Sequence, residues 1–373
     1  VGKWHLGFRT DEKMDWNKEL APGPLELGFD YYFGVPILNS HPPFVYVENH
    51  HVVGYDPNDP FVRGKRAETE EFDEKFGINS IGGATAAHRL YKDRAVATTL
   101  KDRAVQWIKE HKDSPFFLYY ATPNIHHPFT PAERFVGTSE AGPYGDSIHE
   151  LDWVVGEIMR TLDEEGLAGN TLLIFTSDNG GMLNHGGQRA WKAGHHINGK
   201  LLGFKFGAWE GGHRIPMIVR WPGIVAPQTQ CDHYLMIEDF FPTILEMAGV
   251  DNYTTVQQRD GISFMPLLTG KGKMKDRDIY WHYPNSWGPS GPGIGATCSI
   301  RSGEWKLVYY FGDGRRELFN IPADISEKHD MAREKPEVVK ELSRKLSNYL
   351  RSVDAQRPLL RATRQPAPWP DEI

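Results

Sequence analysis

Several short stretches of this chain carry side chains suited to handling an anion or a hard cation. In GKWHLG (2–7), Lys3 and His5 stand two residues apart, so in an extended segment they share one face while Trp4 takes the other. Gly2 and Gly7 bracket the pair, as where a backbone must turn or approach something closely. A cation beside an imidazole suits an anion. NIHHPFTP (124–131) places His126 and His127 just after the apolar run FFLYYAT, at a strand's carboxyl end, where α/β sheets bind ligands; the other reading is one packed and one exposed histidine in a Pro-terminated loop. SDNGG (177–181) sets the Asp178 carboxylate next to the Asn179 amide oxygen. Ca²⁺ and Mg²⁺ take such donors, although the same residues readily make an Asx turn. FKFGAWEGGHRIP (204–216) holds Lys205 in a glycine-spaced loop, with Glu210 and Arg214 expected to pair and brace it. MLNHGGQRAWKAGHHINGK (182–200) is either one wall of a carbohydrate pocket or a surface loop; its histidines lack the compact spacing of a zinc site.

The bulk of the chain narrows the function classes. Its 373 residues suffice for two or three domains, and 39% hydrophobic with 24% charged residues describe an ordinary globular protein. No apolar run reaches the ~18 residues of a membrane span. A net charge of −7 without a basic block argues against a nucleic-acid partner, so an anionic substrate must be drawn by a few placed cations. Two cysteines, Cys231 and Cys298, exclude a disulfide framework and leave the redox compartment open. The chain starts at Val1 with neither an initiator Met nor a signal peptide, and it is expected to be the remainder of a longer one.

The elements that must position these stretches follow from periodicity. Leu100, Ala104, Trp107 and Ile108 predict a helix over 98–111; FFLYYAT then reads as a strand covered on both faces. Ile148, Leu151, Val155, Ile158, Met159 and Leu162 form the stripe of a second helix, stopped near Gly166. TLLIFTSDNGG and IPMIVRWPG (215–223) read as strands, with a helix around Ile244, Leu245 and Ala248 after them. Alternation of this kind predicts an α/β fold: a mostly parallel sheet between helices, with ligands at the carboxyl ends of its strands. Near residue 270 the character changes. Short strand candidates, IYWHY and WKLVYYF, and a helix from Pro336 with Val339, Leu342, Leu346 and Tyr349 on one face predict a smaller α+β domain with an antiparallel sheet. The expected division is 1–270 and 271–373. The tail QPAPWPDEI is expected to be an arm or frayed end.

Taken in order, GKWHLG, HHP after a strand, SDNGG and K-x4-EGG-x-R-x-P resemble the type I, formylglycine-dependent sulfatases of the alkaline-phosphatase superfamily. WPG (221–223), PTIL (242–245), IRSGEWKLV (300–308) and ELFNIPADISEKHDMA extend the resemblance over essentially the whole chain. It implies hydrolysis of the sulfate ester of a carbohydrate or aryl alcohol. Asp178 and Asn179 would ligate Ca²⁺, with Mg²⁺ as an alternative; Lys3 and Lys205 would bind sulfate oxygens. His5 would assist the formylglycine hydroxyls, and His126 would protonate the leaving alcohol; His127 has no firm counterpart. The family's C-x-P-S-R or S-x-P-S-R nucleophile motif, modified by a formylglycine-generating enzyme, does not occur in residues 1–373. Cys298-Ser299-Ile300-Arg301 lacks its proline and reads as structural. The resemblance therefore implies a nucleophile from outside the chain, no turnover by these residues alone, and a periplasmic, secreted or lysosomal location. Where many relatives carry Ser in GxPxS, this chain has Leu38, with Asn39 or Ser40 as replacements. A phosphodiesterase or phosphonate hydrolase of the same superfamily and a non-catalytic binder of sulfated glycans are the alternatives. Asp178-Asn179 where two-zinc members have Asp-His disfavours the two-zinc class; a formylglycine-using phosphonate hydrolase stays open.

Overall fold

Gly2 and Gly34 govern how the first sheet is built. β1 (Gly2–Lys3) runs parallel to β2 (Phe33–Val35), with Gly2 opposite Gly34. On its other side it runs parallel to the 119–121 segment. That second ladder is regular: Ala121 N–H donates to Val1 O at 2.9 Å, and Lys3 N–H donates to Ala121 O at 2.7 Å. A Cβ on Gly34 would lie 1.7 Å from Gly2 O, and one on Gly2 would lie 2.1 Å from Ala121 O. Only glycine permits the three segments to lie so close.

The computed structural model describes residues 1–8, 14–38, 40–65, 81–250, 252–285 and 288–373. They form two compact units, Val1–Ala168 with Leu183–His195, and Gly169–Met182 with His196–Ile373. In the first unit β2 continues antiparallel into β3 (Val47–Glu48) and β4 (His51–Val52), and β5 (Val62–Arg63) pairs with β6 (Ile81–Gly82). Its helices are α1 (Thr85–Leu90), α2 (Val96–Glu110), α3 (Pro143–Glu164) and α4 (Gly187–Lys192). α2 buries Leu100, Ala104 and Ile108, as its periodicity predicts. α3 is rotated from the expected stripe: Val154, Ile158 and Leu162 are buried, but so are Asp146, Ser147, Glu150 and Thr161. FFLYYAT is a further correction. It pairs with β1 along one edge, and Phe117 and Tyr119 are exposed, so among the described residues it is not covered on both faces.

The second unit contains β7 (Leu173–Thr176) and β8 (Met217–Arg220), which pair antiparallel where strand–helix alternation favours parallel neighbours. Short helices α5 (Glu210–His213), α6 (Phe240–Met247) and α7 (Met265–Thr269) follow. The expected antiparallel sheet is formed by β9 (Ile279–Tyr283), β10 (Thr297–Ser302), β11 (Trp305–Tyr310) and β12 (Arg316–Asn320), in the order β12-β11-β10-β9. α8 (Pro336–Ser352) packs on it through Leu342, Leu346 and Leu350. The tail is not frayed. Ala367 and Trp369 are buried in this core, Arg351 makes paired 2.8 Å bonds to both Asp371 oxygens, and Asp371 N–H donates to Ser347 Oγ at 3.1 Å. Trp369 supplies the apolar area, and a bidentate Arg clamp holds an otherwise irregular segment. Among the described residues no helix is long and apolar enough to cross a membrane.

The glycine contact is directly testable. Gly34→Ala is expected to lower stability by about 1–3 kcal/mol or more through overpacking, because the two nearest atoms that must give way, Gly2 O and C, are backbone, with the Tyr32 hydroxyl next. Gly156→Ala in α3, where an added Cβ meets nothing within 4 Å, is expected to be neutral or stabilising. Thermal melts of the two variants check this, and equal melting temperatures would refute the close-approach argument.

Candidate functional site

In the first unit, the parallel order brings three carboxyl ends to one side of the sheet. β1 leads to Trp4 and His5, β2 to Pro36–Ser40, and the 119–121 segment to Thr122–His127. Trp4 N–H donates to Val35 O at 3.1 Å and His5 N–H to Pro36 O at 2.9 Å, so the first two loops stay in register. Lys3 is half-buried and lines a hollow with Trp4, Tyr31, Tyr32 and Tyr119. His5 is exposed at φ 61°, a left-handed conformation that histidine tolerates better than most residues. The two-residue alternation assumed for Lys3 and His5 therefore stops before His5. Leu38 is buried and bridges to His41, while Ser40 Oγ lies 2.9 Å from His41 Nδ1. Asn39 lies outside the described residues.

His126 is half-buried, with Nδ1 2.7 Å from His127 O. A carbonyl can only accept, so Nδ1 carries a hydrogen, and the ring gains or loses its second proton at Nε2. The His127 ring stacks on His126 at 4.3 Å and on His185 at 4.2 Å between centroids. The loop after residue 182 thus reaches the histidine pair, and Gly186 packs against Phe129.

In the second unit, β7 ends in the SDNGG turn, with Asp178 exposed and Asn179 half-buried. Gly180 N–H donates to Gly212 O at 3.0 Å, and Lys205 N–H donates to Gly181 O at 2.9 Å, so Asp178, Asn179 and Lys205 belong to one loop cluster. A Cβ on Gly180 would lie 1.8 Å from Gly211 O, which explains the facing glycines of SDNGG and EGG. Asn179 Nδ2 donates to Gly180 O at 3.0 Å. This commits the nitrogen end of the amide to the backbone and leaves the oxygen end as the one suited to a cation. The Asp178–Asn179 donor set has the right chemistry for Ca²⁺ or Mg²⁺ but supplies two residues toward a shell of about six to eight oxygens. Among the described residues no group of three or more His, Cys, Asp or Glu gathers as a metal centre.

Two sets of residues escape the sequence reading. Asn198 clamps the cluster from inside the 182–200 loop: its Oδ1 accepts from Gly181 N–H at 2.8 Å, and its Nδ2 donates to Gly203 O at 2.9 Å and Gly211 O at 3.0 Å. The only signal was an Asn-Gly pair in an undecided loop. The second set lies beneath α5. Arg214 and Glu210 pair at 3.3 Å, as expected, but Glu210 also binds Lys306 Nζ at 2.9 Å, and Lys306 binds Glu327 at 2.9 Å. Lys306 is 0% exposed. Glu210 N–H donates to Glu327 at 2.6 Å, so the start of α5 is fixed to the C-terminal half of this unit. Cys298 is buried in β10, and burial raises its thiol pKa far above the ordinary value; it is inert, as its context suggests.

Charges in this network shift one another. Burial, with help from the Lys306 charge, lowers His213 to about 4. Burial alone would raise Glu210, but the His213 hydrogen bond and the Lys306 charge outweigh it and hold Glu210 well below the carboxylate range. Glu327 is pushed up by burial against the pull of Lys306.

A sequence profile described as Sulfatase matches residues 1–250, and one described as N-sulphoglucosamine sulphohydrolase, C-terminal, matches residues 205–356. The chain is 35% identical to an N-acetylgalactosamine-6-O-sulfatase of Bacteroides thetaiotaomicron, covering 93% of the chain and 73% of that protein. It is 31% identical to the N-acetylgalactosamine-6-sulfatase of Mus musculus, covering 93% of the chain and 66% of that protein, just under two thirds of its length. A solved 6S-sulf structure from work on glycosaminoglycan metabolism by Bacteroides thetaiotaomicron superposes with a TM-score of 0.80 at 34% identity, covering 95% of this chain and 78% of that one.

Two outcomes are expected of the buried network. Lys306→Met strands two carboxylates without their shared cation and should lower stability by about 3–5 kcal/mol, read by denaturant unfolding. Stability should also fall with acidity: the unfolded chain protonates His213 below the ordinary value of 6.5, the folded one only near 4. The unfolded state therefore binds more protons in that window. Depressed Glu210 extends the loss below its ordinary 4.5, whereas raised Glu327 contributes stability at low pH that is lost as pH rises through its folded value. His213→Gln should flatten the melting temperature between pH 6.5 and 4; an unchanged slope would remove His213 from this account.

Proposed function

The chain belongs to the type I sulfatases of the alkaline-phosphatase superfamily, and on that premise we propose that it removes sulfate from a sulfated glycan, with a 6-sulfated N-acetylgalactosamine as substrate. Its fold is the α/β fold of that superfamily with a C-terminal antiparallel sheet. The observation that carries the substrate is the 35% identity, over 93% of the chain, to a protein named for that activity.

The roles of the chain's own residues follow from their chemistry. Lys3 and Lys205 are ammonium groups that hold sulfate oxygens and offset charge growing on them. His5, exposed beyond β1, holds and moves the proton of the attacking group. His126, its Nδ1–H committed to His127 O, gives a proton from Nε2 to the departing sugar oxygen. A Ca²⁺ or Mg²⁺ ion at Asp178 and Asn179 would withdraw charge from the sulfate, and a formylglycine matured from a Cys or Ser outside residues 1–373 would supply the nucleophile.

The test is sulfate release from N-acetylgalactosamine 6-sulfate, its 4-sulfate isomer and a phosphodiester. The 6-sulfate should react fastest, chelation should stop the reaction, and Lys205→Ala should lower turnover on the order of 10²-fold or more. Preference for the phosphodiester would assign the chain to another reaction of the superfamily; tight binding of the 6-sulfate without release would make it a binder.

A further inference from the structure

Helix α3 turns carboxylates inward where its periodic pattern calls for apolar side chains. Asp146 and Glu150 stand one turn apart, each 2% exposed. Asp146 accepts from Ser139 N–H at 2.8 Å and Gly137 N–H at 3.0 Å. Glu150 Oε1 accepts from Ala132 N–H at 3.1 Å, and its Oε2 accepts from Asn124 Nδ2 at 3.0 Å. The helix thus grips both ends of the loop that carries His126.

Asn124 is the link. Its Nδ2 also donates to Ser147 O at 3.4 Å, and its Oδ1 accepts from Thr122 Oγ1 at 2.8 Å. Two residues later, His126 N–H donates to Pro123 O at 2.9 Å and His126 Nδ1–H to His127 O at 2.7 Å. Asn124, His126 and Glu150 line one hollow together with Asp93, Thr130 and Ser147.

We propose that Glu150 is the positioning residue of His126: through Asn124 its buried carboxylate fixes the loop so that His126 keeps Nδ1–H on His127 O and presents Nε2 to the leaving alcohol. The inference rests on the proposed role of His126 as proton donor. A carboxylate is required at this place because donors approach from two sides, Ala132 N–H and Asn124 Nδ2. Glutamine offers one acceptor and turns a donor toward the other N–H; alanine offers neither. A loop that carries a proton donor loses rate when displaced by even about 1 Å.

The experiment compares Glu150→Ala, Glu150→Gln, Asn124→Ala and His126→Ala in the active protein, on a sugar 6-sulfate and on an activated aryl sulfate whose leaving group needs no proton. Glu150→Ala should slow the sugar ester on the order of 10²-fold and spare the aryl ester, with Glu150→Gln between it and the native protein. Glu150→Ala combined with His126→Ala should be no slower than His126→Ala alone. Nitrogen-15 NMR of the imidazoles gives an independent readout: above its pKa, where the ring is neutral, native His126 should be the Nδ1–H tautomer, and Glu150→Ala should mix the tautomers. Equal loss on both esters with an unchanged tautomer would overturn the proposal and leave Glu150 a purely structural acid. Equal loss on both esters from His126→Ala would instead sink the proton-donor role, while the tautomer measurement would still decide whether Glu150 holds the ring.

Discussion

The first unit depends on backbone running against backbone at Gly2. With Gly34 on one side and Ala121 on the other, three segments lie parallel at hydrogen-bonding distance, and a single added Cβ would fill the space that makes this possible. Parallel order fixes polarity as well as spacing. The loops carrying His5, Ser40 and His126 therefore emerge at one end, a consequence of direction that no side chain has to enforce. Chemistry gathers at strand carboxyl ends in α/β sheets for this reason.

Loops at such an end bring a second requirement, because their backbone N–H groups have no ladder to join. The protein meets it with buried polar side chains reaching out of regular elements. Asp146 and Glu150 serve the 124–139 loop from α3. Asn198 serves residues 181, 203 and 211, and Glu327 serves the first N–H of α5. Each of these groups would be costly to bury alone; Asp146, Glu150 and Asn198 each hold two or more hydrogen bonds, and Glu327 holds the Glu210 N–H and the Lys306 ammonium. Lys306 is the extreme case, a wholly buried ammonium between two carboxylates. A buried pair of this kind adds less to stability than to definition: removing any one member leaves a charge stranded, so the loop has one arrangement that satisfies all of them.

The same physics separates what the sequence determined from what it did not. Helices α2 and α8 were legible because burial of Leu100, Ala104 and Ile108, or of Leu342, Leu346 and Leu350, repeats with the helical period inside one short window. The strands β9 and β11 and the candidate loops were legible for the same local reason, although the close approach of Gly180 to Gly211 appears only in the fold. The ordered sequence of motifs also identified the family, since residue types can be compared without knowing where they lie.

Only the tertiary structure decided which polar residues are buried. Glu150, Asn124 and Asn198 look like ordinary surface residues in the sequence, because what distinguishes them is a donor brought close by folding from a distant part of the chain. The antiparallel pairing of β7 with β8 and the docking of Trp369 on α8 have the same origin. An apolar strand does not carry its partner's direction, and a proline-rich tail does not show the tryptophan-sized space waiting for it. Local propensity and period are properties of the chain; satisfied buried polarity is a property of neighbours, and neighbours exist only after folding.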